Sequence, residues 1–529
     1  PLTRRGFLRL MGASLALAGL NSCSRAPSET IVPYVRQPEE IVPGKPLFFA
    51  TAMPVAGFGT GVLVESHMGR PTKVEGNPTH PASLGATDVL AQASILDLYN
   101  PDRSPAITYR GRIRPWNAFL IALREALDSE SKSRGAGLRI LTGSVTSPTL
   151  AEQLRALLKQ YPAAKWHQYE PAGRHHSRAG SLLAFGTYAQ TQYRLDQADI
   201  VLALDAEALS CGPGHLRYAR DFAHRRKPAT GAQAMSRFYA LESTPSPVGA
   251  LADHRLALAP KAIEDFARAI ATRLAIGAVA AGAPLPPTYQ RWADALVDDL
   301  KQHRGASVII AGETMTPAVH ALAHAMNSAL GNIGRTVIYS EPAEANPVDE
   351  IASIKELAED IERGNVATLI VVEGDPVYNA PADLGFAEKL PRVPVRMHLS
   401  VDRNQTSALC QWHVPAAHYL ESWSDVRAYD GTVTILQPLI APLYDGKTAH
   451  ELLAALSANP QRSSYESVRD YWQQQTGKVP ADFTRWWRQS LHDGVVEGTA
   501  FEPKSVTPRL GAINSQLKIH NSQSSEISK

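Results

Sequence analysis

Cysteine is nearly missing from this sequence. Three occur in 529 residues, Cys23, Cys211 and Cys410, and no two form a C-x-x-C pair. Neither a cysteine zinc site nor an iron–sulfur motif can be read from them. A chain of this length buries a sufficient core without disulfides. Cys211 and Cys410 are therefore expected as buried free thiols, with one disulfide between them as the alternative. Basic runs are missing too: 53 Lys and Arg stand against 51 Asp and Glu, a net charge of +2. That balance argues against a nucleic-acid partner. After the first 23 residues no segment approaches a continuous apolar run of membrane-spanning length. With 44% hydrophobic and 20% charged residues, the chain reads as globular, and its length implies several domains.

What is present begins with the opening text, LTRRGFLRLMGASLALAGLNSC. Arg4 and Arg5 precede Phe7 and Leu8, and an apolar run follows from Leu10 to Leu20. As a helix that run rises only about 16 Å, short of the roughly 30 Å of a bilayer core. It reads as a twin-arginine export address and not as a span. Cys23 ends the run in the order Leu20-Asn21-Ser22-Cys23 and is the expected lipidation site. Asn21 departs from the small residue usual at its place, so an unmodified thiol is the alternative. The expected location is the periplasmic face of the cytoplasmic membrane, lipid-anchored and exported.

Seven segments follow from composition and periodicity: 1–23 as signal, 24–47 as an extended Pro-rich tether, and 48–115 as a small β-rich domain. Residues 116–290 and 291–460 form a first and a second α/β domain, 461–503 a helical C-terminal segment, and 504–529 a disordered tail. GFGTGVLVE and RPTKVEGNP predict two strands joined by a turn at His67–Gly69. LRILTGS (138–144), ADIVLALDA (198–206) and RFYALES (237–243) predict strands of the first α/β domain. ASVIIAGE (306–313), RTVIYS (335–340), VATLIVVEG (366–374) and VPVRMHLSV (393–401) predict those of the second. Their runs lack clean alternation and are separated by helices at 147–161, 316–329 and 350–362, the signature of parallel sheets covered on both faces. Further helices are expected at 448–458 and about 463–490.

Several residues carry chemistry in principle. Asp102 and Arg103 read most simply as a turn with a surface ion pair. Asp253-His254 and His418-Glu421 have the form of acid/base couples, though such neighbours are more often structural hydrogen bonds. His175 and His176 beside Arg174 offer too few ligands for a metal. Trp412, Trp423, Trp486 and Trp487 are assigned to packing or interfaces.

Five phrases occur in an order that points to a known family: KVEGNPTHPASLGATDVLAQASILDLYNPDRS (73–104), AFGTYAQTQYRLDQADIVLALDAE (184–207), RFYALESTPSPVGALADHR (237–255), VVEGDPVYNAPAD (371–383) and HVPAAHYLESWSDVRAYDGTVTILQPLIAPLYDG (413–446). Together they resemble the molybdopterin-oxidoreductase-like portion of the large iron–sulfur subunit of alternative complex III, within the DMSO-reductase superfamily. The resemblance implies a multidomain fold with two doubly wound parallel-sheet domains and a small β-rich N-terminal part.

Catalytic relatives in this superfamily hold a cluster through four closely spaced cysteines near the N-terminus, and residues 48–95 contain none. They also ligate molybdenum through a cysteine, selenocysteine, serine or aspartate. Near the corresponding place this chain reads EPAGRHHSRAGSLLAFG (170–186), where nothing singles out Ser177 or Ser181. Asp375 stands where the family's turn commonly has asparagine. The resemblance thus implies a cofactor-free structural subunit of a membrane quinol-oxidising complex, with no catalytic, cofactor-binding or metal residue of its own. Its implied partners are a multihaem cytochrome c subunit, a ferredoxin-like iron–sulfur module and integral quinone-binding subunits, with haem c and clusters held by those partners. An active molybdopterin oxidoreductase on a small periplasmic substrate is the first alternative. A stand-alone lipoprotein binding a ligand between α/β domains is the second.

Overall fold

The computed structural model describes residues 41–227, 235–277 and 282–527, with side chains described as far as Lys518. Two units divide the chain, Pro1–Lys45 and Pro46–Lys529. Only residues 41–45 of the first are described, so Arg4, Arg5 and Cys23 lie outside the described residues.

The second unit opens with an antiparallel sheet of Leu47–Val55, Phe58–His67 and Arg70–Gly76. Both turns place two successive residues at positive φ, Ala56 and Gly57 in one, Met68 and Gly69 in the other. That geometry matches the right-handed twist of the strands it joins. The expected hairpin at His67–Gly69 is therefore present, preceded by a strand that the sequence pattern does not single out.

A seven-stranded sheet follows in the spatial order Arg112–Ile113, Thr108–Tyr109, Trp412–Pro415, Val395–Ser400, Thr368–Val372, Leu138–Thr142, Lys165–Gln168. The last five run parallel, and the short 108–113 hairpin pairs antiparallel at one edge. A second sheet, wholly parallel, has the order His254–Ala257, Arg237–Glu242, Ile200–Leu204, Ser307–Ala311. Successive side chains of the central strands enter opposite cores, as the period of two requires. Leu202 packs towards the helices Pro260–Arg273, Pro287–Gln302 and Pro317–Ala329, whereas Val201 and Ala203 pack towards the helix His215–Arg226. Likewise Ile370 and Val372 face the helices Trp116–Lys132 and Pro148–Gln160, and Leu369 and Val371 face Glu350–Glu362. Val201 and Ile370 are both 0% exposed, as expected for central strands. The mixed α/β fold with doubly wound parallel sheets and a β-rich N-terminal sheet is thus present.

The strands are distributed otherwise than contiguous domains at 116–290 and 291–460 would require. The chain leaves the seven-stranded sheet after Gln168, builds the second sheet from Ile200 to Ala311, and returns at Thr368. Ser307–Ala311 pairs with Ile200–Leu204, and Thr368–Val372 with Leu138–Thr142. Apolar runs mark strands, but nothing in a run names its neighbour. The segment 335–340 also differs: Val337–Ser340 pairs antiparallel with Gln190–Tyr193, whose polar side chains give no strand signal.

The stretch expected near 463–490 is two helices, Ser464–Thr476 and Pro480–Asp493, separated at Gly477 (φ +59°) and Pro480. The tail from 504 contains the helix Leu510–Ile527 in place of disorder. Ile513 and Leu517, one helical turn apart, are buried in the same core as Pro317–Ala329, and Arg268 Nη1 donates to the Leu517 carbonyl (3.4 Å). Two apolar residues at i, i+4 are enough to seat a helix whose overall composition is polar. Cys410 is a buried free thiol as expected, but Cys211 is an exposed one.

Candidate functional site

In the seven-stranded sheet the chain moves outward from Leu138–Thr142 to Lys165–Gln168, and from Thr368–Val372 in the other direction through Val395–Ser400 to Trp412–Pro415. The strand order therefore reverses between Leu138–Thr142 and Thr368–Val372. Loops diverge there at the carboxyl ends of the strands and leave a crevice, the place where doubly wound sheets bind ligands. A cavity of about 350 Å³ lies at this point, lined among others by Ser144, Glu170, Glu373, Asp375, Trp423 and Asp425.

The helix Pro148–Gln160 starts at the crevice, with Pro148 in its first turn and Ser147 as N-cap. Such an N-terminus concentrates free N–H groups and partial positive charge, which suits an anion. In this chain the anion is already there. Asp425, 1% exposed on the strand Ser424–Arg427, accepts hydrogen bonds from Ser147 Oγ, from Thr149 Oγ1 (2.5 Å) and from the Thr149 backbone N–H (3.3 Å). A fourth comes from the indole Nε1 of Trp472 (2.9 Å), on the helix Ser464–Thr476. Asp375 does the same for a neighbouring helix, Gln405–Leu409, accepting from Thr406 N–H (2.9 Å) and Thr406 Oγ1 (2.6 Å). In the four-stranded sheet, Asp205 ends the strand Ile200–Leu204. It accepts from Ser243 N–H (2.8 Å) and Thr314 Oγ1 (2.8 Å), donors that follow the two flanking strands. Asp205 has φ +51°, and a Cβ on Gly312 would meet its carbonyl at 1.8 Å, so the strand ends close directly on one another.

The titratable groups around the first crevice are mostly acids. Burial, reinforced by Glu350 and Glu373, raises the Glu170 carboxyl to about 7. Burial also raises Glu350, against a hydrogen bond from Ser144 Oγ (2.7 Å) and the nearby ring of His175 (3.6 Å). Among the described residues Lys447 is the one lysine or arginine in the lining, and its ammonium lies over the Trp116 ring (5.3 Å to the centroid) and 3.7 Å from Glu451.

The residues singled out from sequence are placed elsewhere or satisfied internally. Arg103 forms no surface pair with Asp102. It is 2% exposed and binds Glu421 through Nη2–Oε2 (2.6 Å) and Nη1–Oε1 (3.1 Å). Glu421 also accepts the His418 N–H (2.9 Å) in a capping box, so His418 and Glu421 act as a cap and not as an acid/base couple. Asp253 binds Arg226, and His254 stacks on Tyr239. His176 Nδ1 meets the Glu313 carbonyl (2.9 Å), and Arg174 binds Glu344 (2.5 Å). Ser177 Oγ donates to the Arg174 carbonyl (3.2 Å), while Ser181 Oγ both donates to and accepts from the backbone of Ala189. Among the described residues no group of three or more His, Cys, Asp or Glu could hold a metal ion. Trp412 packs on Tyr109 and Phe119. Trp423 stacks on Trp487 (5.8 Å), and Trp486 packs on Trp472 and Phe483. Trp423 therefore takes part in internal packing beside the crevice and stays half-buried. Sequence reasoning missed Asp425, Asp205 and Glu170; Asp205 could have been marked by its place at the end of the predicted strand 198–206, whereas Glu170 and Asp425 adjoin strands that the sequence pattern does not single out.

No family model matches the chain. It is similar to the menaquinone reductase, molybdopterin-binding-like subunit, of Nitratidesulfovibrio vulgaris, 24% identical over 558 aligned positions that cover 96% of this chain and 78% of that one. Its fold is similar to that of acetylene hydratase from Pelobacter acetylenicus, with a TM-score of 0.56 and 10% identity over 82% of this chain and 73% of that one. At that identity the likeness concerns the fold alone.

Proposed function

We propose that this chain is a cofactor-free, non-catalytic subunit of a membrane complex that moves electrons to or from a quinone. The likeness along 96% of its length to a menaquinone reductase subunit supports a quinone-linked assembly. The observation that carries the non-catalytic part is the saturation of the crevice. The donors at the Pro148–Gln160 N-terminus are taken by Asp425, and the rim carries Glu170, Glu373 and Asp375 against Lys447 alone. A pterin dinucleotide carries a pyrophosphate, and a rim of acids whose helix N-terminus is already taken by Asp425 offers it no donor set, so the residues present do not fit that group. The chain also lacks the closely spaced thiolates an iron–sulfur cluster needs. What this leaves the fold to do is to hold partners in position. A multihaem cytochrome c, a ferredoxin-like cluster module and integral quinone-binding subunits would supply the redox centres, as in alternative complex III. Export by the Arg4-Arg5 signal and lipidation at Cys23 would put the chain on the periplasmic membrane face.

The test is purification of the complex through a tag on this chain. Haem- and quinone-binding subunits should co-purify, with neither molybdenum nor tungsten bound to this chain. Stoichiometric molybdenum with pterin would replace this reading by that of an active molybdopterin oxidoreductase.

A further inference from the structure

Asp425 has an unusual set of surroundings for a buried carboxylate. It is 1% exposed, yet no lysine or arginine forms an ion pair with it among the described residues. Its charge is held by the hydroxyls of Ser147 and Thr149, the Thr149 N–H and the Trp472 indole N–H. Two hydroxyls and the Thr149 N–H converging at the start of a 13-residue helix form a donor set of the kind a phosphate takes at a doubly wound crevice.

We propose that Asp425 is a built-in anion: its carboxylate stands in the place of a ligand phosphate and turns a binding crevice into a structural joint. This rests on the cofactor-free reading and gives it a mechanism. Three separate parts of the chain meet at the one carboxylate: the Pro148–Gln160 helix of the seven-stranded sheet, the Ser424–Arg427 strand, and the Ser464–Thr476 helix through Trp472. The strand pairs antiparallel with Val433–Leu436, whose Val433 and Ile435 share a core with Trp472, Phe483 and Trp487. A diffusible anion would fill the donors but would not tether the strand. A side chain does both. In the other sheet Asp205 is a looser, solvent-accessible counterpart, bringing Ser243 and Thr314 to one carboxylate at the end of Ile200–Leu204 without a helix N-terminus.

The experiment compares wild type with Asp425→Ser, which empties the carboxylate's place and leaves every donor. Thermal unfolding is followed by tryptophan fluorescence in chloride, inorganic phosphate and pyrophosphate at matched ionic strength. The wild-type midpoint should not respond to phosphate beyond chloride. Asp425→Ser should melt several degrees lower in chloride and recover part of that loss in millimolar phosphate, more in pyrophosphate. If the variant yields no folded protein in chloride, its soluble refolding yield with phosphate is the readout, and no gain counts against the proposal. Asp425→Asn keeps the side chain's volume, so it should be destabilised but insensitive to phosphate. The proposal is overturned if phosphate stabilises wild type as much as Asp425→Ser, if Asp425→Ser responds to no anion, or if Asp425→Asn responds equally. Pterin or molybdenum in the wild-type protein would instead overturn the cofactor-free reading, which is a separate result.

Discussion

Replacing Arg103 by Met should cost about 3–5 kcal/mol, because it leaves a buried carboxylate without its cation. The pair is enclosed: side-chain exposure is 2% for Arg103 and 0% for Glu421. Arg103 Nη1 also donates to the Leu98 carbonyl (2.8 Å), and its guanidinium lies 5.4 Å from the Tyr444 ring centroid. Without the guanidinium, Glu421 keeps only the N–H groups of His418 and Leu443 (each 2.9 Å). Urea unfolding at pH 7 measures the loss. A chain of 529 residues has an m-value above the small-protein range, about 6 kcal/mol per M, so the midpoint should fall by about 0.5–0.8 M. Arg103→Met combined with Glu421→Gln should cost less than Arg103→Met alone, since no orphan charge remains, although the amide has one oxygen and accepts only one of the two N–H groups. The pH dependence has a definite sign. In wild type, burial pushes the Glu421 carboxyl up, but Arg103 and the two N–H groups outweigh it and hold it below the usual carboxylate range. A depressed folded value adds stability above the unfolded value of about 4.3, lost as pH falls through the folded value. In Arg103→Met the burial wins, so protonation relieves the variant and its deficit should shrink from pH 7 to about pH 4.5. A cost under about 1 kcal/mol at pH 7, the range of an exposed pair, would refute this account.

Two further outcomes follow from burial. Ile370→Asp, at a position that is 0% exposed in a central strand, should destabilise by several kcal/mol and reduce soluble yield; near-normal urea stability would count against the layer assignment. Glu170, raised to about 7 mainly by burial, should make stability fall as pH rises from about 4.3 towards 7, because the folded state holds the proton longer. Glu170→Gln should flatten that part of the pH–stability curve and gain stability at pH 8. An unchanged slope would mean Glu170 titrates as an exposed acid.

The buried strands are legible in the sequence because Ile200–Leu204 and Thr368–Val372 are unbroken apolar runs bounded by helices, and only a sheet covered on both faces absorbs such runs. Their partners are not legible. Pairing is decided by backbone hydrogen bonds that are the same for any run, so the return of the chain to the first sheet at Thr368 leaves no trace in composition. The polar strand Gln190–Tyr193 and the helix Leu510–Ile527 escape for a related reason: each is held by contacts distant in sequence that override a weak local signal. At the crevice, the lack of cysteines can be read directly, since ligand chemistry depends on residue type. Asp425 cannot, being one of 51 acidic residues until folding brings Ser147, Thr149 and Trp472 around it. Arg103 is the same case, with a partner 318 residues away.

The cofactor-free reading proposed above holds that the helix N-terminus at the crevice is already occupied by the chain's own Asp425. Metal and pterin analysis of the complex, isolated from membranes through this chain, tests it most directly. The account predicts haem iron in proportion to the partner subunits, and neither molybdenum, tungsten nor oxidised pterin fluorescence in proportion to this chain. One molybdenum or tungsten with pterin per copy of this chain would contradict it.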